Sequence, residues 1–93
     1  MILASIEIEI RIYESYSLKE KRSVVKSLIR RLQNKFNISI SEINSLDKLN
    51  YSTIGVATIS NDLKVVDSTI EKVINFIDND DRLEIVSIRK EIY

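Results

Sequence analysis

Ile6, Ile8, Ile10 and Ile12 alternate with Glu7, Glu9, Arg11 and Tyr13, the period-two pattern of a strand with one buried face. Ser17-Leu18-Lys19-Glu20 then reads as a capping box, in which a hydroxyl and a carboxylate satisfy orphan N–H groups at a helix start. Leu18, Val25, Leu28, Ile29, Leu32 and Phe36 follow at helical spacing, and Asn37, tolerant of the left-handed conformation, is the expected stop. Ile38 to about Ile43 reads as a second strand, Asn44 to Asn50 as a polar turn, and the β-branched run Tyr51 to Ile59 as a third strand. Ser60 or Asn61 is expected to cap a second helix with a core stripe of Leu63, Val66, Ile70, Val73, Ile74 and Ile77. Asp78-Asn79-Asp80-Asp81 ends that helix, and Leu83 to about Ile92 is the last strand.

Two helices each linking two strands, with a short connection in the middle, predict a single ferredoxin-like α+β domain over residues 1–93: a β-α-β-β-α-β sandwich whose antiparallel four-stranded sheet carries both helices on one face. The other face must be wet or covered. Two strands read as apolar on both faces. The third sets Ile54 and Val56 against Tyr51, Ala57 and Ile59, and the fourth sets Leu83 and Ile85 against Val86 and Ile88. A two-sided sheet predicts a homo-oligomer, most simply a homodimer; a strand bulge that returns both sets to one core is the alternative.

Composition narrows the chemistry. Among 93 residues there is no Cys, His or Pro and only one Gly, Gly55. Disulfides, thiolate nucleophiles, imidazole catalysis, the usual zinc sites and Gly-rich nucleotide loops are thereby excluded. The start Met1–Glu7 lacks the basic and apolar regions of a signal peptide, and no run approaches the roughly 20 apolar residues of a membrane span, so a cytoplasmic protein with no membrane contact is expected. The metal-chaperone, phosphatase and RNA-recognition variants of the fold are each missing their residues. There is no Cys pair before the first helix and no glycine or arginine in Glu14-Ser15-Tyr16-Ser17, and Tyr13 and Tyr51 stand near strand ends instead of mid-strand. Glu7 and Glu9 lie roughly 6.5–7 Å apart on one strand face. They could form an acid/base pair or a hard-metal site, but an exposed face balanced by Arg11 is the simpler reading. No catalytic residue, metal or small-molecule cofactor is expected.

Charge is the one patterned surface. Residues 1–40 carry eight bases against four acids, a net +4, and residues 41–93 carry six against ten, a net −4. On the first helix Arg22, Lys26 and Arg30 share a stripe with Lys19 and Gln33 beside it, within about 80° of arc and over roughly 16 Å of axis. Such a stripe can track a phosphate backbone, with Lys21 and Arg31 helping at its margin. Asp67, Glu71 and Asp78 form an acidic stripe on the second helix, and pairing between the stripes inside the molecule is the alternative. Val65, Thr69 and Phe76 lie away from the core centre of that helix; Val65 and Phe76 are candidate partner contacts unless Phe76 folds over the sheet edge.

The segment Ser17-Leu18-Lys19-Glu20-Lys21-Arg22-Ser23-Val24-Val25-Lys26-Ser27-Leu28 resembles the signature of the YlxP-like family of small bacterial proteins. Phe36-Asn37-Ile38-Ser39-Ile40-Ser41-Glu42, Ile54-Gly55-Val56-Ala57 and Ile59-Ser60-Asn61-Asp62 are similar to further stretches of it, and one departure is the turn Asn44–Asn50, where the family often has more acids, an aromatic and glutamine. The resemblance implies the ferredoxin-like fold and a bacterial cytosolic protein. It also implies a gene setting among translation initiation and ribosome maturation factors, but no established activity. The expectation is a small non-catalytic binding protein that contacts structured RNA, ribosomal RNA or the small ribosomal subunit first among the candidates, through Lys19, Arg22, Lys26 and Arg30. The rival is an oligomeric protein-interaction module with no nucleic-acid role.

Overall fold

Five inward side chains of one strand organise the sheet in the computed structural model, which describes all 93 residues, Met1–Tyr93. They are Ala4, Ile6, Ile8, Ile10 and Ile12 of β1 (Ile2–Ile12), all buried, while Ser5, Glu7 and Glu9 between them stay part-exposed. The chain continues through α1 (Leu18–Lys35), β2 (Ser39–Asn44), β3 (Tyr51–Ser60), α2 (Leu63–Asp78) and β4 (Leu83–Ile92). The sheet order is β2-β3-β1-β4 with every neighbouring pair antiparallel, and both helices cover the face lined by the β1 isoleucines. This is the ferredoxin-like α+β arrangement. Val25, Leu28 and Leu32 of α1 and Val66, Ile70, Val73 and Ile77 of α2 close the core against Ile54 and Val56 of β3. β1 starts four residues earlier than the alternation suggests, because Ile2 and Leu3 already pair with Ser60 and Ile59.

The helix ends are set by local hydrogen bonds. Ser17 caps α1, its Oγ accepting from the Glu20 N–H at 3.1 Å, and the Glu20 carboxylate reaches past it to accept from the Tyr16 N–H at 2.8 Å. α1 does not stop through a left-handed Asn37. Phe36 is extended, with φ −126° and ψ 150°, and only Glu14 and Ser45 have positive φ. The Asn37 carbonyl instead accepts from Thr58 Oγ1 at 3.1 Å, tying the connection to β3. The cap of α2 is Asp62, whose carboxylate accepts from the Lys64 N–H at 2.9 Å, while Ser60 Oγ accepts from the Asp62 N–H at 3.2 Å.

β4 is less two-sided than its sequence suggests, with only Val86 of its core-type residues on the open side. A bulge at Val86 separates the pair Ile10–Ile85 from the pair Glu9–Ser87, so Leu83, Ile85, Ile88 and Ile92 all fall on the helix face. Lys90 shares that face and reaches α2, pairing with Asp67 at 3.0 Å. Beyond the cover of the helices Ile88 and Ile92 remain 43% and 52% exposed. The open face is mixed, with Ser5, Glu7, Glu9, Ser39, Ser41, Thr53, Ser87, Arg89 and Glu91 across its four strands and Leu3, Tyr51, Ala57, Ile59 and Val86 among them. The two-sided reading stands for β3, where Ile54 and Val56 are buried under the helices while Tyr51, Ala57 and Ile59 lie on the open face. A second bulge at Ile43 lays that side chain against Gly55, where a Cβ would stand 3.0 Å from Ile43 Cγ2, so any larger residue there would have to push the Ile43 side chain aside.

The α2–β4 turn is stapled by Asp80, which accepts from the Arg82 backbone N–H, Nε and Nη2 at 3.0, 2.9 and 2.7 Å. The side-chain hydrogen bonds from Arg82 hold the Asp80 carboxyl below its usual range, although burial pushes the other way. A lowered folded-state pKa stabilises fully above the ordinary carboxylate value of about 3.9, and that stabilisation disappears as pH falls through the folded value. Asp80→Asn is therefore expected to cost on the order of 1–2 kcal/mol in urea melts near neutral pH. Its deficit should shrink when the melts are repeated well below about pH 3.9; a deficit independent of pH would contradict this role.

Candidate nucleic-acid interface

At about 100° per residue, the buried side chains of α1 define one stripe and Lys19, Arg22, Lys26 and Arg30 another, on the exposed side of the helix. None of these four cations has an ion-pair partner. The pairs in the molecule are Arg11–Glu84, Lys21–Glu42, Arg31–Asp80, Arg82–Asp80, Arg89–Glu7 and Lys90–Asp67. Lys19, Arg22 and Lys26 line a shallow depression of about 370 Å3 with Ser23 and no acid. The alternative, pairing between the two helix stripes, does not form. Asp67 is taken by Lys90 of β4, and Glu71 and Asp78 are exposed without a cation. The reason is how the helices meet. Side chains of α1 touch α2 and its end at Arg31, Lys35 and Phe36, which lie against Phe76 and Asp80. Arg31 and Lys35 stand roughly 140–180° round the axis from the centre of the cationic stripe, which is thus turned away from α2.

Lys21 leaves the candidate interface altogether. Its side chain is 0% exposed, with Nζ 2.7 Å from Glu42 Oε2, itself on a side chain only 14% exposed. The ammonium also donates to the Ser45 and Leu46 carbonyls at 2.7 and 3.3 Å, so its three donors are all engaged inside the molecule. Ser52 Oγ donates to the same Glu42 oxygen at 2.6 Å, completing a buried polar cluster with no unsatisfied atom. The sequence does contain the signal. Position 21 precedes Val25 by four and Leu28 by seven, on the core stripe, and Glu42 follows Ile40 by two on the inward side of β2. Arg31 is half committed as well, its Cζ 5.0 Å over the Phe76 ring and Nη1 3.9 Å from Asp80.

The other candidates separate. Phe76 is half-buried and meets Phe36 edge-on, ring centroids 6.2 Å apart at 88°, while Val65 is exposed about three turns earlier on α2. Glu7 pairs with Arg89, its cross-strand neighbour, and Glu9 faces Thr53 and Ser87. No cluster of three or more Asp, Glu, His or Cys gathers anywhere, and no helix is long and apolar enough to cross a membrane.

Fold and surface together define a small ferredoxin-like α+β domain with an unpaired cationic flank on its first helix. The chain belongs to the family described as "Protein of unknown function (DUF503)", which matches residues 3–90. It is 40% identical over 85 residues to "Uncharacterized protein YlxP" of Bacillus subtilis (strain 168), a match spanning 91% of this chain and 92% of that protein.

Removing one partner of a buried ion pair strands the other. Lys21→Met is expected to lose on the order of 3–5 kcal/mol and to lower the melting temperature by well over about 10 °C. The double variant Lys21→Met/Glu42→Leu should regain at least half of that loss in the same calorimetric series. Equal losses in the single and double variants would show that the two charges are not coupled.

Proposed function

We propose that this protein binds structured RNA through Lys19, Arg22, Lys26 and Arg30, tracking phosphates along the exposed flank of α1. The observation that carries the reading is the absence of any ion-pair partner for four cations on one helix flank. In a chain of zero net charge, pairing them internally would have been the obvious arrangement. Binding of this kind is electrostatic and reads shape, because phosphate contacts fix register and orientation without identifying bases. The assignment to ribosomal RNA, and to the small subunit, rests on the gene setting that the YlxP-like resemblance implies. Lys21 has no part in it, and Arg31 serves the contact with α2 first.

The test is co-sedimentation with small ribosomal subunits on sucrose gradients at low and physiological salt. Co-migration should survive physiological salt and vanish in the Arg22→Glu/Lys26→Glu/Arg30→Glu variant. With no ion pair to lose, that variant should keep its melting temperature within about 1–2 °C, so lost binding would not be lost folding. With about four phosphates engaged, log affinity should fall against log salt with a slope of roughly −3 to −4. Protein left at the top of both gradients, or an affinity flat in salt, would end the reading and turn the search to protein partners.

A further inference from the structure

A second surface lies on the opposite flank of α1. Between its last turn and the outer side of α2 runs an open groove of about 630 Å3, inside the roughly 300–1,000 Å3 typical of small-ligand sites. Its floor is the edge-on pair Phe36 and Phe76. Lys35 rises from α1 on one wall, its Nζ 5.9 Å from the Phe36 centroid and 5.3 Å from that of Phe76, and Lys72 stands on the α2 wall. Asn37, Asn75 and Asn79 also line the groove, and their hydrogen bonds within the protein are backbone ones, leaving the side-chain amides uncommitted. No acid lines it, although the half of the chain that supplies α2 is net negative.

We propose that this groove holds one unpaired nucleotide of an RNA, its base on the phenylalanine floor and its phosphate between Lys35 and Lys72. Each component has a use in that complex. Aromatic rings accept any base by stacking, and an amide side chain both donates and accepts, as the edge of a base requires. A lysine resting on a half-buried ring makes a weaker contact than a stacked base, so the base displaces Lys35 from the rings and frees its ammonium for the phosphate, while Arg31, outside the groove, keeps its place over Phe76. An acidic peptide would use the lysines and leave the rings and three amides idle. An apolar ligand would strand the cations. The site goes beyond the cationic stripe, being separated from it by roughly half a turn around α1, so either can fail alone.

The experiment is a titration of the isotope-labelled protein with the nucleoside monophosphates of adenine, guanine, cytosine and uracil, followed by proton–nitrogen correlation spectra. Ribose phosphate, inorganic phosphate and hexaglutamate serve as controls. Millimolar nucleotide is expected to move the side-chain amide signals of Asn37, Asn75 and Asn79, at least about tenfold more tightly than ribose phosphate. Lys72→Glu should weaken binding about fivefold or more without changing the melting temperature, and Asn75→Ala should weaken it with a different factor for each base. The Arg22→Glu/Lys26→Glu/Arg30→Glu variant should bind mononucleotides unchanged, which separates this site from the stripe. Silence at the groove with all four nucleotides would overturn the proposal. So would equal shifts with inorganic phosphate, marking a simple anion site, or stronger shifts with hexaglutamate, marking a protein-docking groove.

Discussion

The arrangement turns on one buried ammonium. Lys21 points from α1 into the interior and finds Glu42 of β2 and the Ser45 and Leu46 carbonyls of the following turn. Desolvating an ammonium costs several kcal/mol, and only a full set of partners in good geometry offsets it. Those partners come from the inward side of β2 and the start of the β2–β3 turn, and Ser52 at the head of β3 donates to the Glu42 carboxylate. The turn is in turn shaped to present its carbonyls. Ser45 takes the left-handed conformation at φ 62°, with its N–H donated to Asn44 Oδ1 at 2.8 Å. Such a pair adds little net stability over an apolar substitute, and its physical effect is on geometry. It fixes the roll of α1 about its axis. With Lys21 inward, Lys19, Arg22, Lys26 and Arg30 can only face water.

That roll explains the fate of the charge asymmetry between the two halves of the chain. Of the eight bases in the first forty residues, Arg11, Lys21 and Arg31 pair with acids of the second half, each at a place where strands or helices meet. Lys19, Arg22, Lys26 and Arg30 are left over on one flank, and Lys35 rests on aromatic rings on the other. On the acidic side, Asp80 is consumed by its own turn and Asp67 by β4. Zero net charge therefore conceals a molecule whose first helix is cationic on two sides, because the acids that could balance it either pair elsewhere, as Asp67 and Asp80 do, or stand apart from it, as Glu71 and Asp78 do.

Most of the fold was legible because its signals are local. Alternation in β1, the Ser17 cap with Glu20, and the apolar stripes of both helices each identify an element without knowledge of its neighbours. What sequence missed depends on neighbours. The Val86 bulge exists because β4 must keep Leu83 and Ile85 as well as Ile88 and Ile92 on the covered face, and strict alternation instead gave a two-sided strand. Three cap-competent residues in a row, Ser60, Asn61 and Asp62, left the start of α2 uncertain by two positions. Lys21 was assigned to the surface by residue type although its position belonged to the core stripe. The charge outweighed the spacing in that reading, and the spacing was right. Phe36 and Phe76 come from different helices, so their meeting, and the groove above them, could not be read from either segment.

If both flanks of α1 bind RNA as proposed, they ask for different things of it. The stripe is a line of point charges roughly 16 Å long and matches a run of backbone phosphates, whatever the bases. The groove offers rings and amides to one base, and a base inside a duplex is unavailable to it because its faces are already stacked. An RNA that engaged both would need a paired segment beside an unpaired nucleotide, with the backbone crossing the C-terminal end of α1 between them. Arg30 and Asn34 occupy that end, both exposed, on the part of the helix surface between stripe and groove. Such a junction occurs at bulges and at the bases of loops, and uniform duplex lacks it. Discrimination would then arise with no base-reading loop, from the distance α1 imposes between a shape-reading flank and a base-holding one.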